Sequence, residues 1–154
     1  MPLNEEGRRQ AHALSGRLDG HVFDAVYSSD LSRALETATI LAEPRSLGVR
    51  MLESLREKNF GTWEGLTDVD VHERFGDPGP GGWGDAETTE AMTGRTVAAI
   101  LGIGAAHGGG TVLVVTHGGP MRAALRHSGA EDGRIGNCEV VRVVVESGTM
   151  LRVD

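Results

Sequence analysis

Cysteine is almost missing from this chain. Cys138 is the only one among 154 residues, which excludes an internal disulfide and any zinc site built from several cysteines. No apolar run approaches the roughly 18 residues of a transmembrane helix. The opening stretch, Met1 to Gln10, lacks the apolar core of a secretory signal. Positive charge is also short: 15 Lys and Arg stand against 22 Asp and Glu, a net charge of −7. That balance argues against a general nucleic-acid binder and against a membrane-surface protein. There is no internal repeat. The apolar group AVILMFWYC makes up 39% of the chain and charged residues 24%, too apolar a mixture for a disordered protein. The length suits a single domain over residues 1–154 with a real core. Together these limits predict a soluble cytoplasmic protein and leave its chemistry open.

What is present alternates between helix and strand signals. Asn4 caps a helix whose apolar face is Ala11, Leu14 and Leu18, with Glu5 and Glu6 at its positive end. Residues Val22 to Tyr27 read as a strand, and Ser28-Ser29-Asp30 as a turn and cap. Leu31, Ala34, Leu35, Ala38, Leu41 and Ala42 form a helical stripe closed by Pro44. Val49 to Leu52 is a short strand, 66–75 a short helix, and Thr88 to about Ala106 a longer one. Thr111 to Thr116 is a continuous apolar strand of the kind buried on both faces of a parallel sheet. Pro120 suits the first turn of the next helix, which runs to about Arg126. Glu139–Val145 and Thr149–Val153 flank Glu146-Ser147-Gly148 and read as a hairpin. The low-complexity stretch Gly76-Asp-Pro-Gly-Pro-Gly-Gly-Trp-Gly84 reads as a mobile surface loop. The alternation predicts an α/β fold with helices on both faces. Ligands of such sheets sit beyond the carboxyl ends of the strands, which draws attention to Tyr27–Arg33 and Thr116–Gly119.

Thr116-His117-Gly118-Gly119-Pro120 is the strongest local signal. It places His117 at a buried strand end, while Gly118 and Gly119 open the backbone to close approach. The amides at the N-terminus of the next helix make a ready anion site, above all for phosphate. Arg33 falls in a first helical turn and off the apolar stripe. It either pairs with Asp30 or grips an anion with its planar fork. In Leu55-Arg56-Glu57-Lys58-Asn59-Phe60-Gly61-Thr62-Trp63-Glu64-Gly65, either Glu57 or Glu64 is a candidate general acid. The other histidines, His12, His21, His72, His107 and His127, lack metal-ligand spacing and read as surface residues. Cys138 reads as a core thiol. No metal and no cofactor is expected.

In combination, several segments closely resemble the histidine phosphatase superfamily, phosphoglycerate-mutase-like branch. They are Pro2-Leu-Asn-Glu-Glu-Gly-Arg-Arg-Gln-Ala11, Phe23 to Ala38 with its Ser32-Arg33-Ala34, Leu55-Arg-Glu57 with Phe60-Gly-Thr-Trp-Glu-Gly65, and Val114-Val-Thr-His-Gly-Gly119. The resemblance covers nearly the whole chain in the family's order. It implies that Arg33 binds phosphate, that Glu57 protonates the leaving group and that His117 hydrogen-bonds the phosphoryl group. The segment Gly84-Asp-Ala-Glu-Thr88 departs from the family's Gly-Glu-Ser at Glu87.

A larger departure concerns the family's first strand, which ends in Arg-His-Gly and supplies the nucleophilic histidine. No Arg-His-Gly occurs in this chain. The expected architecture is therefore a three-layer α/β sandwich with a mostly parallel mixed sheet and a C-terminal hairpin, its first central strand missing. The expected activity is phosphomonoester hydrolysis on a small phosphorylated metabolite, in preference to a mutase, with this chain alone inactive for want of the nucleophile. The alternative is a non-enzymatic pseudophosphatase, an anion-binding or protein-interaction module. Expected partners are a small phosphorylated substrate, or inorganic phosphate or sulfate, and a second copy of the chain joined through the open sheet edge.

Overall fold

The computed structural model describes residues 1–77, 84–130 and 133–153. The greater part of the Gly76–Gly84 stretch expected to be a mobile loop lies outside the described residues.

Helix α1 (Glu5–Arg17) starts where the sequence predicts, with Asn4 Oδ1 accepting the Gly7 N–H at 2.8 Å and Glu5 and Glu6 in its first turn. Strand β1 (Ala25–Ser28) is buried throughout. It begins later than the expected Val22. Asp24 and Thr111 clamp the entry: Thr111 N–H donates to Asp24 Oδ2 at 2.7 Å, and Asp24 N–H donates to the Thr111 carbonyl at 2.8 Å. Helix α2 (Ser32–Ala42) buries Ala34, Ala38, Leu41 and Ala42, and Pro44 lies in the 3-10 turn that ends it. Its N-cap is Leu31, with no side-chain cap bond, so Ser28-Ser29-Asp30 is not the cap the sequence suggested. Strand β2 (Val49–Met51) follows. Helix α3 (Asp68–Phe75) opens with a capping box between Thr67 and Asp70, which satisfies two amides reciprocally. Helix α4 (Thr89–Ala106) is capped by Thr88, strand β3 spans Val112–Val115, and helix α5 spans Gly118–His127. Strands β4 (Arg142–Glu146) and β5 (Thr149–Val153) close the chain. Ser147 (φ 50°) and Gly148 (φ 76°) join them. Two positive φ values in a two-residue loop match the right-handed twist of a hairpin.

The parallel sheet has the order β2-β1-β3, with Val26 facing Val49 on one side and Leu113 on the other. Side chains alternate across it, as the period of two requires. Val26, Leu113 and Val115 pack towards α1 and α2 with Leu14, Leu41 and Ala38. Ala25, Tyr27, Val112 and Val114 pack towards α4 with Ile103 and Ala99. The result is helix on both faces of a sheet, the expected three-layer α/β fold. Cys138 lies against the Leu14–Leu18–Leu41 cluster, as its reading as a core thiol anticipated.

The expected C-terminal hairpin forms its own two-stranded antiparallel ladder, β4-β5. Helix α4 spans the two units. Its Ile103 and Ala99 cover β1 and β3, while Val97, Ile100 and Leu101 pack with Val143, Val145 and Met150 of the hairpin. Among the described residues, β3 is paired on one side only, and all four of its apolar residues are half-exposed. A continuous Val/Leu strand of this kind is at home with both edges and both faces covered.

Two glycines of α4 test how tightly it sits on the hairpin. A Cβ at Gly104 falls 2.5 Å from Val145 Cβ, whereas one at Gly102 meets nothing within 4 Å. Val145 is β-branched and stiff, so it yields poorly. Gly102→Ala is expected to raise stability by about 0.5–1 kcal/mol. Gly104→Ala is expected to lower it by about 1–2 kcal/mol. Urea unfolding of the two variants checks this, and equal stabilisation by both would mean that α4 does not grip the hairpin.

Candidate active site

Three corners at the carboxyl ends of the parallel strands supply the polar groups. The β1–α2 corner carries Ser28, Ser29, Asp30 and Arg33. The β3–α5 corner carries Thr116, His117, Gly118 and Gly119. The segment after β2 carries Arg56 and Glu57. Backbone rungs extend the ladders into these corners, with Ser29 N–H donating to Val115 O at 3.0 Å and Leu52 N–H to Ser28 O at 2.9 Å. Thr116 Oγ1 donates to the Leu55 carbonyl at 2.7 Å, tying the third corner to the second.

His117 is the N-cap residue of α5 and is only 7% exposed. Its Nε2 lies 2.9 Å from Ser29 Oγ, a fully buried hydroxyl that also accepts the Leu31 N–H at 3.2 Å. Burial is the main reason why its pKa is pushed down to about 4. The positive charge of Arg33 pushes the same way, while the Glu57 and Asp30 carboxylates oppose it. The imidazole is therefore neutral at pH 7, able to donate from one ring nitrogen and accept at the other.

The Glu57 carboxylate reaches the same helix end. Oε2 accepts the Gly119 N–H at 3.2 Å and Oε1 accepts the Lys58 N–H at 2.9 Å. Gly119 is obligatory for this approach, because a Cβ there would overlap Glu57 Oε1. Pro120 has no N–H and that of Gly119 is taken, so Gly118 provides the first-turn amide left for a ligand. Glu64, the other candidate acid, is exposed and accepts the Phe60 N–H of its own loop at 2.9 Å.

Arg33 is exposed, and its guanidinium makes no hydrogen bond or ion pair among the described residues. The sequence left it a choice between Asp30 and an anion, and Asp30 is taken. Arg56 Nε donates to Asp30 Oδ1 at 2.7 Å and Arg56 Nη2 pairs with Oδ2. That fork-on-fork pair holds the Asp30 carboxyl below its ordinary range. Arg33 nevertheless stays close enough to act on His117.

Sequence reasoning gave no site role to five contributors. Ser29 lay in a stretch read as a turn. Arg56 is the immediate neighbour of Glu57, and its partner Asp30 is 26 residues away. Arg95 and Glu87 meet in a forked pair, which nothing in their spacing announces. Arg122 curls back over the helix end, its Nη1 3.3 Å from the Cβ position of Gly118. Of the histidines read as surface residues, His107 is half-buried, with Nε2 3.1 Å from the Tyr27 hydroxyl. Among the described residues, no helix is long and apolar enough to cross a membrane.

A parallel sheet that gathers a guanidinium, a neutral imidazole and a carboxyl group at its strand ends, beside a helix N-terminus, defines an α/β protein with a polar rim at one end of the sheet. The comparisons with known proteins are more specific. The histidine phosphatase superfamily (branch 1) matches residues 1–151, and the chain belongs to that family. It is similar to phosphoglycerate mutase-like protein 4 of Arabidopsis thaliana, at 35% identity covering 80% of this chain and 58% of that protein. It is 26% identical to the phosphatase PhoE of Bacillus subtilis, over 96% of this chain and 75% of that protein. It is 30% identical to phosphoserine phosphatase 1 of Hydrogenobacter thermophilus, over 79% of this chain and 61% of that protein. The chain thus spans less than two thirds of the first and third of these relatives. Among solved structures, Bacillus stearothermophilus YhfR superposes with a TM-score of 0.86 at 27% identity, covering 98% of this chain and 82% of that one. A mycobacterial glucosyl-3-phosphoglycerate phosphatase gives 0.84 at 25% identity, covering 99% and 86%.

The buried imidazole has a consequence for stability. Its folded pKa of about 4 lies below the ordinary 6.5, so the unfolded chain binds more protons between those values. Stability therefore rises with pH through that window. The contribution, about 3 kcal/mol at most, is fully present above pH 6.5 and gone by about pH 4. Urea unfolding from pH 4 to 7 is expected to show this rise in the wild type and a flatter profile in His117→Gln. A ring-proton NMR titration of His117 with a midpoint near 6.5 would contradict it.

Proposed function

We propose that the strand-end pocket binds the phosphoryl group of a small phosphomonoester and serves its hydrolysis. Inorganic phosphate or sulfate would occupy the same place. The observation that carries this reading is the meeting of Glu57 and His117 at one helix end through Gly119 and Ser29, with Arg33, which has no partner among the described residues, acting on the same imidazole. Arg33 grips the equatorial oxygens with its fork. The neutral His117 and the Gly118 amide add donors aimed at the same oxygens. Glu57 delivers the proton that the leaving oxygen needs. The relatives named as phosphatases support hydrolysis in preference to group transfer within the substrate.

Phosphoryl transfer also needs an in-line attacking group. The family's attacking histidine belongs to an Arg-His-Gly segment that these 154 residues do not contain. We therefore take this chain alone to be inactive, the nucleophile having to come from outside it. The half-exposed Val112–Val115 edge, next to His117, suits an added strand or a second copy of the chain. A second reading is a pseudophosphatase that keeps the anion pocket as a binding module.

Two measurements test this. Calorimetric titration with inorganic phosphate is expected to show binding, weakened about 10- to 100-fold by Arg33→Ala, the worth of a charge-assisted hydrogen bond. Affinity unchanged in both Arg33→Ala and His117→Ala would sink the pocket. The chain alone is expected to leave p-nitrophenyl phosphate intact. Turnover that vanishes in both Glu57→Ala and His117→Ala would overturn the inactive reading and the pseudophosphatase with it.

A further inference from the structure

We propose that Arg95, on helix α4, is a positioning residue for Glu57, acting with Glu87 as a clamp on the loop that carries the carboxyl group. The inference rests on the reading of Glu57 as the proton donor. A guanidinium has five N–H donors, and Arg95 uses all of them. Nε and Nη2 donate to Glu87 Oε1 at 2.6 Å and Oε2 at 2.7 Å. Nη1 donates to the carbonyls of Ser54 at 2.9 Å and Arg56 at 2.8 Å, and Nη2 to that of Glu57 at 3.1 Å. Glu87 then holds the far side of the loop. Its Oε2 accepts the Asn59 N–H at 3.1 Å, and its own N–H donates to the Asn59 carbonyl at 2.8 Å.

The loop has no sheet or helix ladder beyond its short 3-10 turn to satisfy these carbonyls, and unpaired backbone groups away from water are costly. The clamp supplies the missing donors. It is well shielded, with Arg95 25% and Glu87 16% exposed, so its bonds suffer less from water than a surface pair does. Its effect is felt at the carboxyl group. Glu57 has to thread its Oε2 onto the Gly119 N–H beside a helix end where even a Cβ would not fit. A shift of the 54–57 backbone by a fraction of an ångström breaks that contact and moves the proton away from the leaving oxygen. Lysine, a point charge, cannot reproduce the five-donor fork.

The Gly119 amide reads this out without any turnover. In the first turn of α5 it has no intrahelical acceptor, so its protection from hydrogen exchange comes from Glu57. Exchange at Gly119 is expected to accelerate about tenfold in Glu57→Ala and by a similar factor in Arg95→Lys. The amides of Ala123 and Ala124 in α5 should keep their protection in both variants. Glu87→Gln, which keeps the acceptor and loses the charge, should fall in between. Unchanged Gly119 protection in Arg95→Lys would overturn the proposal. So would loss of protection at Gly119 together with Ala123 and Ala124, which would make Arg95 a general support of the fold. Failure of the phosphate titration would count against the proposed function and leave the clamp standing.

Discussion

The site depends on the last rung of the β1–β3 ladder. Ser28 faces Val115, and the Ser29 N–H closes on the Val115 carbonyl, so the two strands leave the sheet in step. Ser29 then stands opposite His117, and its hydroxyl reaches the ring. A slip of one residue would exchange the faces of β3. It would turn Leu113 and Val115 from α1 and α2 towards α4, and would separate the hydroxyl from the imidazole. The same register that fills both halves of the core therefore positions the polar rim. Stability and chemistry are set by one alignment.

Charge is distributed with equal economy. The chain carries a net −7, which gives it little long-range attraction for anions. Local pairing corrects for this. Arg56 neutralises Asp30, and Arg95 neutralises Glu87, each as a forked pair. Removing both carboxylates from competition leaves the Arg33 guanidinium without a partner among the described residues. It also leaves a buried imidazole that is neutral because it is dry and next to a cation. An uncharged ring at the rim contributes donor and acceptor without adding a charge that burial would penalise.

Among the described residues, β3 is paired on one side only. Its valines follow the pattern of a strand covered on every side, yet they are half-exposed, and the hairpin stands as its own ladder. Helix α4 holds sheet and hairpin in one body by packing on both. That helix is 18 residues long.

Much of the fold was legible from short-range chemistry. Asn4 caps its helix, Glu146-Ser147-Gly148 turns the hairpin, and the apolar stripe from Leu31 to Ala42 announces its helix, because each of these effects acts within one or two turns of chain. The types of group at the site were legible for the same reason: a histidine and glycines at a strand end, an arginine in a first turn, glutamates in a shaped loop. Which group meets which was not. Asp30 chooses Arg56 over its near neighbour Arg33, Arg95 reaches back to Ser54 and Glu57, and His117 finds Ser29 across 88 residues. Those pairings follow from strand register and side-chain direction in the packed molecule. Local spacing carries no information about either, so tertiary structure alone decided them.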